Sequence, residues 1–71
     1  MDKIAVDAMG GDFAPLEIVL GAIEAVREYH IPVVLVGDEE RIRDILKKHH
    51  EENNPLIEVH HASQVIEMGE H

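Results

Sequence analysis

The stretch Val6-Asp7-Ala8-Met9-Gly10-Gly11-Asp12-Phe13-Ala14-Pro15 decides how the chain is read. It joins the end of a short apolar run to the start of an amphipathic one through two adjacent glycines, two carboxylates and a proline. In an open α/β sheet, the loops at the carboxyl ends of the strands form the crevice where small molecules bind. A helix amino terminus in that crevice offers unpaired N–H groups to an anion.

The elements around this loop follow from periodicity. Lys3 to Ala8 carries Ile4, Ala5 and Val6 in succession, the near-continuous apolar run expected of a strand buried on both faces. From Pro15 onward, Ile18, Val19, Ala22, Ile23, Val26 and Tyr29 recur at three- and four-residue spacing. Glu17, Glu24, Arg27 and Glu28 take the opposite face, which predicts an amphipathic helix. Pro32 to Val36 is rich in β-branched residues and stops at Gly37-Asp38, a strand end followed by a helix cap.

A second helix is predicted from Glu39 to His50, with Asp38 as its cap, Ile42, Ile45, Leu46 and His49 on its apolar side, and Glu39–Arg43 and Asp44–Lys48 as i,i+4 pairs. Leu56 to Val59 gives a third strand. His61-Ala62-Ser63 then leads into a short helical turn containing Val65, Ile66 and Met68. The order βαβαβ requires parallel strands. Right-handed crossovers put Met9–Ala14, Gly37-Asp38 and His61–Ser63 on one edge of the sheet.

Composition narrows the partners. Fifteen acidic against six basic residues give a net charge of −9, which repels nucleic acid and anionic membrane surfaces. The absence of cysteine removes thiolate catalysis and sulfur-bound metals from this piece. The longest apolar run, Ile31 to Val36, is too short to span a bilayer, and no leader-like start precedes it, so the chain reads as soluble and cytoplasmic. Seventy-one residues bury only about 60% of their unfolded surface, and a parallel sheet needs helices on both faces. Residues 1–71 are therefore expected to be a βαβαβ fragment of a larger α/β fold or one piece of a larger assembly, completed by a continuation or a companion chain.

The loop lacks both the G-x-G-x-x-G fingerprint and the G-x-x-x-x-G-K-[ST] phosphate loop, and no lysine or arginine occurs between Lys3 and Arg27. Gly10 and Gly11 permit positive φ and close backbone approach to an oxygen-rich ligand, or equally a tight strand-to-helix turn. Asp12 is expected to cap the first helix or pin the loop by accepting backbone N–H bonds. Asp7, at the strand end, is the carboxylate that would orient a cation or a polar group of a substrate, unless neighbouring amides satisfy it. Two such charges about 4 Å apart repel by about 4 kcal/mol at an effective dielectric near 20, so a bare phosphate does not sit directly between them.

Of the six histidines, no pair has convincing metal spacing, and adjacent histidines on a strand point to opposite faces. His30, His49 and His50 read as helix-end residues. His61, just past the third strand, points toward the shared crevice and suits proton transfer or a hydrogen bond to an anion, the alternative being a surface residue. Ser63 reads as a cap more readily than as a nucleophile.

The stretch Ile4 to Pro15 resembles the amino-terminal signature of the phosphate acyltransferases of bacterial phospholipid synthesis. Leu35-Val36-Gly37-Asp38 and His61 to Met68 resemble that family in order and spacing. The resemblance covers essentially the whole chain but only the opening segment of the family's proteins. It implies a three-layer α/β/α fold similar to the isocitrate and isopropylmalate dehydrogenases, in a homodimer that moves a fatty acyl group from acyl carrier protein to inorganic phosphate. It further implies peripheral membrane contact in the full-length protein, and it calls for no cofactor and no metal. Carried onto this sequence, it assigns Asp7, Asp12 and His61 as catalytic residues and Met9, Gly10, Gly11 and Ser63 as substrate-binding ones. A phosphate acetyl- or butyryltransferase, a dehydrogenase-like enzyme and a non-catalytic module pairing through its sheet edge are the competing readings.

Overall fold

Four consecutive residues with β propensity and an apolar face, Val33 to Val36, sit where the chain can pair on both sides, and they form the centre of the sheet. The computed structural model describes residues 2–62. In chain order the elements are β1 (Ile4–Asp7), α1 (Leu16–Tyr29), β2 (Val33–Gly37), α2 (Glu39–Lys48) and β3 (Ile57–His61). The strands are parallel in the order β1-β2-β3. Ile4 pairs with Val33 and Asp7 with Val36 on one side, and Val33 pairs with Ile57 and Gly37 with His61 on the other.

Because both crossovers step in the same direction, right-handed connections lay both helices on one face of the sheet. Alternation along β2 follows from this. Val33, Leu35 and Gly37 are buried beneath the helices, while Val34 and Val36 face the other way and are half-buried. Leu35, Ile42, Leu46 and Val19 are the largest fully buried side chains, joined by Ile23, Val26 and Val33 in one cluster, with Val6, Ile57 and Val59 packed at its margin. The stripes expected on the two helices supply this core, with two exceptions at their carboxyl ends. Tyr29 is 64% exposed and His49 is exposed, because each lies a turn beyond the last buried residue, Val26 and Leu46 respectively.

The expectation of a first strand buried on both faces is not met. β1 lies at an edge, Ile4 is half exposed, and only Val6 of its four residues is even half-buried. A near-continuous apolar run needs a layer on each face. Among the described residues, the face carrying Ala5, Asp7, Val34, Val36, Glu58 and His60 has none.

The helix ends match their sequence signals. Asp38 Oδ1 accepts from the Arg41 amide at 3.3 Å, Glu39 and Glu40 occupy the first turn of α2, and Lys47 and Lys48 its last. His30 closes α1 in the left-handed conformation at φ 56°, donating its amide to Val26 O at 2.9 Å. His49 caps α2, and His50 follows at φ 60°. Arg43 Nε meets Glu39 Oε2 at 2.7 Å as predicted, whereas Asp44 and Lys48 do not pair with each other. Such exposed pairs are worth little against the entropy of holding two long side chains together. The expected turn around Val65, Ile66 and Met68 lies outside the described residues.

Opposite the strand ends, Glu51 ties the far rim together. Asn54 Nδ2 donates to its Oε1 at 2.9 Å and Arg27 Nε to its Oε2 at 2.7 Å. The Asn54 bond and then the Arg27 guanidinium hold its carboxyl below the ordinary value near 4.5, with partial burial opposing them. A depressed folded value stabilises the protein above the unfolded one and loses that stabilisation as pH falls through the folded one. We therefore expect Glu51 to titrate below 4.5 by side-chain carbon NMR. Glu51→Gln should reduce the stability lost between about pH 6 and about pH 3, and a variant with the wild-type acid profile would contradict the assignment.

Candidate functional site

The parallel register carries all three connections to one edge. The Ala8 amide extends the ladder beyond β1 by donating to Val36 O at 2.9 Å, and the Ala62 amide does the same beyond β3 by donating to Gly37 O at 2.8 Å. The convergence expected from topology is thus present at the level of the backbone.

The first loop is built inward from Asp7. Its Oδ1 accepts from the Met9 amide at 2.9 Å, an Asx turn that bends the chain immediately after the strand. Ala8 is fully buried. Met9 is half-buried and lays its side chain against Gly37: a Cβ placed on Gly37 would stand 2.6 Å from Met9 Cγ and 2.8 Å from Met9 Sδ. With its amide held by Asp7, what Met9 can offer a ligand is its carbonyl. Of the glycine pair only Gly11 uses positive φ, at 93°, and its missing Cβ would point into open space. Gly10 lies beside Asp7, whose Oδ2 would be 3.8 Å from an added Cβ.

Asp12 does not cap the first helix. The cap position falls to Pro15, three residues later, and no side chain bonds to the helix there. A proline donates no amide and its ring has no acceptor, so the first-turn N–H groups of α1 are left without a side-chain partner. The amides of Glu17 and Val19 are taken by the carbonyls of Phe13 at 3.3 Å and Pro15 at 2.9 Å. Asp12 itself is exposed, and Phe13 beside it is 70% exposed.

The second helix terminus is occupied. Besides Asp38 on the Arg41 amide, His61 Nδ1 accepts from the Glu39 amide at 3.2 Å. An imidazole nitrogen that accepts an N–H carries no proton of its own, so in this arrangement His61 serves as a cap. Its surroundings are Asp38, Glu39, Glu40, Arg43 and Asp44, four carboxylates against one guanidinium.

Parity separates the proposed catalytic residues. Asp7 lies on the face away from the helices and His61 on the helix face, so the structure does not bring the two together. The histidine sharing a face with Asp7 is His60, in the same row through Val36 and about 10 Å away by two strand spacings. His60 Nε2 contacts Glu58 Oε2 at 2.6 Å, and Glu58 also pairs with Lys3 across the open face. The rule that neighbouring strand residues face opposite ways already contained this choice; what was missing was which face the helices cover. Ser63 lies outside the described residues.

Among the described residues, no group of three His, Asp or Glu side chains is placed to hold a metal. No helix there is long and apolar enough to cross a membrane. Three broad depressions, lined by His50–Pro55, by Glu17–Arg27 with His49, and by Asp38–Asp44 with His61, include no residue of the first loop.

Fold and site together define a parallel α/β unit whose first strand-to-helix loop lies at the carboxyl edge of the sheet and leads into a helix without a side-chain cap. The chain belongs to the fatty acid synthesis protein family, which it matches over residues 2–71. It is 59% identical over 69 residues to a phosphate acyltransferase of Dictyoglomus turgidum, a match covering 97% of this chain and 20% of that protein. A phosphate acyltransferase of Aquifex aeolicus is 56% identical over 70 residues, covering 99% and 21%, and one of Gloeothece citriformis 53% over 68 residues, covering 96% and 19%. The chain spans about a fifth of the length of these curated relatives.

The two glycines make separable demands on stability. Gly11→Ala is expected to destabilise the protein by about 1–2 kcal/mol through its positive φ. Gly10→Ala should stay within about 0.5 kcal/mol of wild type. Denaturant unfolding of the two variants checks this, and equal costs would contradict the loop conformation.

Proposed function

We propose that this chain forms one wall of the active cleft of an acyltransferase that moves a fatty acyl group from the thioester of acyl carrier protein to inorganic phosphate, releasing an acyl phosphate for phospholipid synthesis. The observation that carries the reading is the first loop, where Gly10, Gly11 at φ 93° and a helix start without a side-chain cap stand at the sheet edge in a chain akin to phosphate acyltransferases.

The chemistry asks little of a nucleophile. Hydrogen phosphate is already anionic at neutral pH. One of its oxygens forms a bond to the thioester carbonyl carbon while the carbonyl electron pair moves onto oxygen. Collapse of that tetrahedral oxyanion breaks the carbon–sulfur bond, and the departing thiolate, of parent pKa near 8.5, takes up a proton. Placement of phosphate and stabilisation of the oxyanion are the remaining requirements, and oriented amides meet both.

Asp7 spends one oxygen holding the loop. Asp12, exposed and free of any capping duty, is available to accept the O–H of hydrogen phosphate. His61 contributes in this reading by fixing the start of α2 at the edge of the cleft. Ser63 follows within two residues as a further polar group for the substrate. The cations that offset phosphate and steer the acidic carrier protein come from outside these 71 residues, whose net charge is −9.

In the complete enzyme the uncovered sheet face of Ala5, Val34 and Val36 receives a second helical layer. That gives the three-layer arrangement similar to the isocitrate and isopropylmalate dehydrogenases, assembled as a homodimer in the cytoplasm with peripheral contact to the membrane that receives its product.

Acyl-phosphate formation in the intact protein, trapped as the hydroxamate, tests the reading. Gly10→Val, which sets γ-carbons over the loop amides, and Asp12→Ala should each lower turnover by about 100-fold, the scale of losing one oxyanion donor. Wild-type turnover in both would remove the loop from the reaction.

A further inference from the structure

We propose that Gly37 is a positioning residue for the first loop, acting through the side chain of Met9. This deepens the reading of that loop as the phosphate cradle and rests on it. Gly37 ends a strand, where a side chain normally adds packing and glycine weakens the element. Its backbone does not call for glycine, since the only glycine with positive φ among the described residues is Gly11. Space does. A Cβ on Gly37 would approach Met9 Cγ to 2.6 Å, Met9 Sδ to 2.8 Å and Ile42 Cδ1 to 3.3 Å. Real atoms do not come that close, so the Met9 side chain must shift if Gly37 gains even a methyl group.

Met9 is poorly placed to leave without consequence. Its amide is held by Asp7 Oδ1 at 2.9 Å, and the two residues after it are the glycines of the proposed phosphate loop. The preceding residue, Ala8, is fully buried and bonded to Val36 O. The side chain of Met9 is thus the inward anchor between a fixed strand end and a glycine pair with little stiffness of its own. Seating that anchor over Gly37 sets where the Gly10 and Gly11 amides stand. The end of β2 in this way reaches the ligand loop of β1 through one thioether contact, with no polar group involved.

The test compares Gly37→Ala with the double variant Met9→Ala/Gly37→Ala in the intact enzyme, reading KM for inorganic phosphate, kcat, and the amide shifts of Gly10 and Gly11 by NMR. Gly37→Ala should move both glycine amides. It should raise KM for phosphate about tenfold with a smaller change in kcat, because a displaced loop loses ground-state and transition-state contacts alike. Removing Met9 Cγ and Sδ vacates the space, so the double variant should return both the shifts and KM most of the way toward wild type. If Gly37→Ala does not fold, a folded double variant is the same result. Wild-type Gly10 and Gly11 shifts in Gly37→Ala, or a double variant no better than the single, would overturn the proposal. Displaced shifts that the double variant restores, with KM for phosphate unchanged throughout, would support the positioning and overturn the cradle reading instead.

Discussion

Parallel pairing on both sides of β2 is the constraint from which the rest follows. With Asp7 in register with Val36 and Gly37 with His61, the chain leaves all three strands at the same edge, and the two crossovers must return over the same face. That single arrangement buries Leu35 beneath both helices and leaves Val34 and Val36 on the other side. It also sets the first loop beside Gly37 and lays His61 against the start of α2.

The two helix termini at this edge differ in how their amides are used. α2 begins with its amides engaged by Asp38 and His61, among carboxylates that would repel an anion. α1 begins at a proline with no side-chain cap, after a glycine at φ 93° and an exposed Asp12. Two helices thus start at the same edge with their first-turn amides differently used, one capped by side chains and one without a side-chain cap. In the proposed reading this asymmetry, more than the glycine pair alone, is what makes the first loop the binding one. It agrees with the kinship to phosphate acyltransferases.

Much of this was legible in the residues. Periodicity located both helices and all three strands, and the Gly37-Asp38 pair marked a strand end and a cap in the right place. Element order alone predicted that the loops share an edge. The misses have physical causes. Ile4 to Val6 read as doubly buried because an apolar run reports the layers of a finished fold, while only one face is covered here. Asp12 read as a cap because carboxylates before helices usually are; the helix starts later, at the proline. His61 read as facing an open crevice, whereas its ring bonds to the Glu39 amide, a partner 22 residues away that no local spacing signals. The Met9–Gly37 contact was hidden for the same reason, since a glycine that ends a strand looks like a turn residue until the neighbouring loop is seen pressed against it.

The central claim is that the first loop and the start of α1 receive phosphate and the start of α2 does not. Titrating inorganic phosphate into the isotopically labelled intact protein, while following backbone amides by NMR, tests it most directly. The account predicts saturable shifts at Gly10, Gly11 and Leu16, with the Glu39 and Arg41 amides unmoved. Saturable shifts at Glu39 and Arg41 with a silent first loop would contradict it.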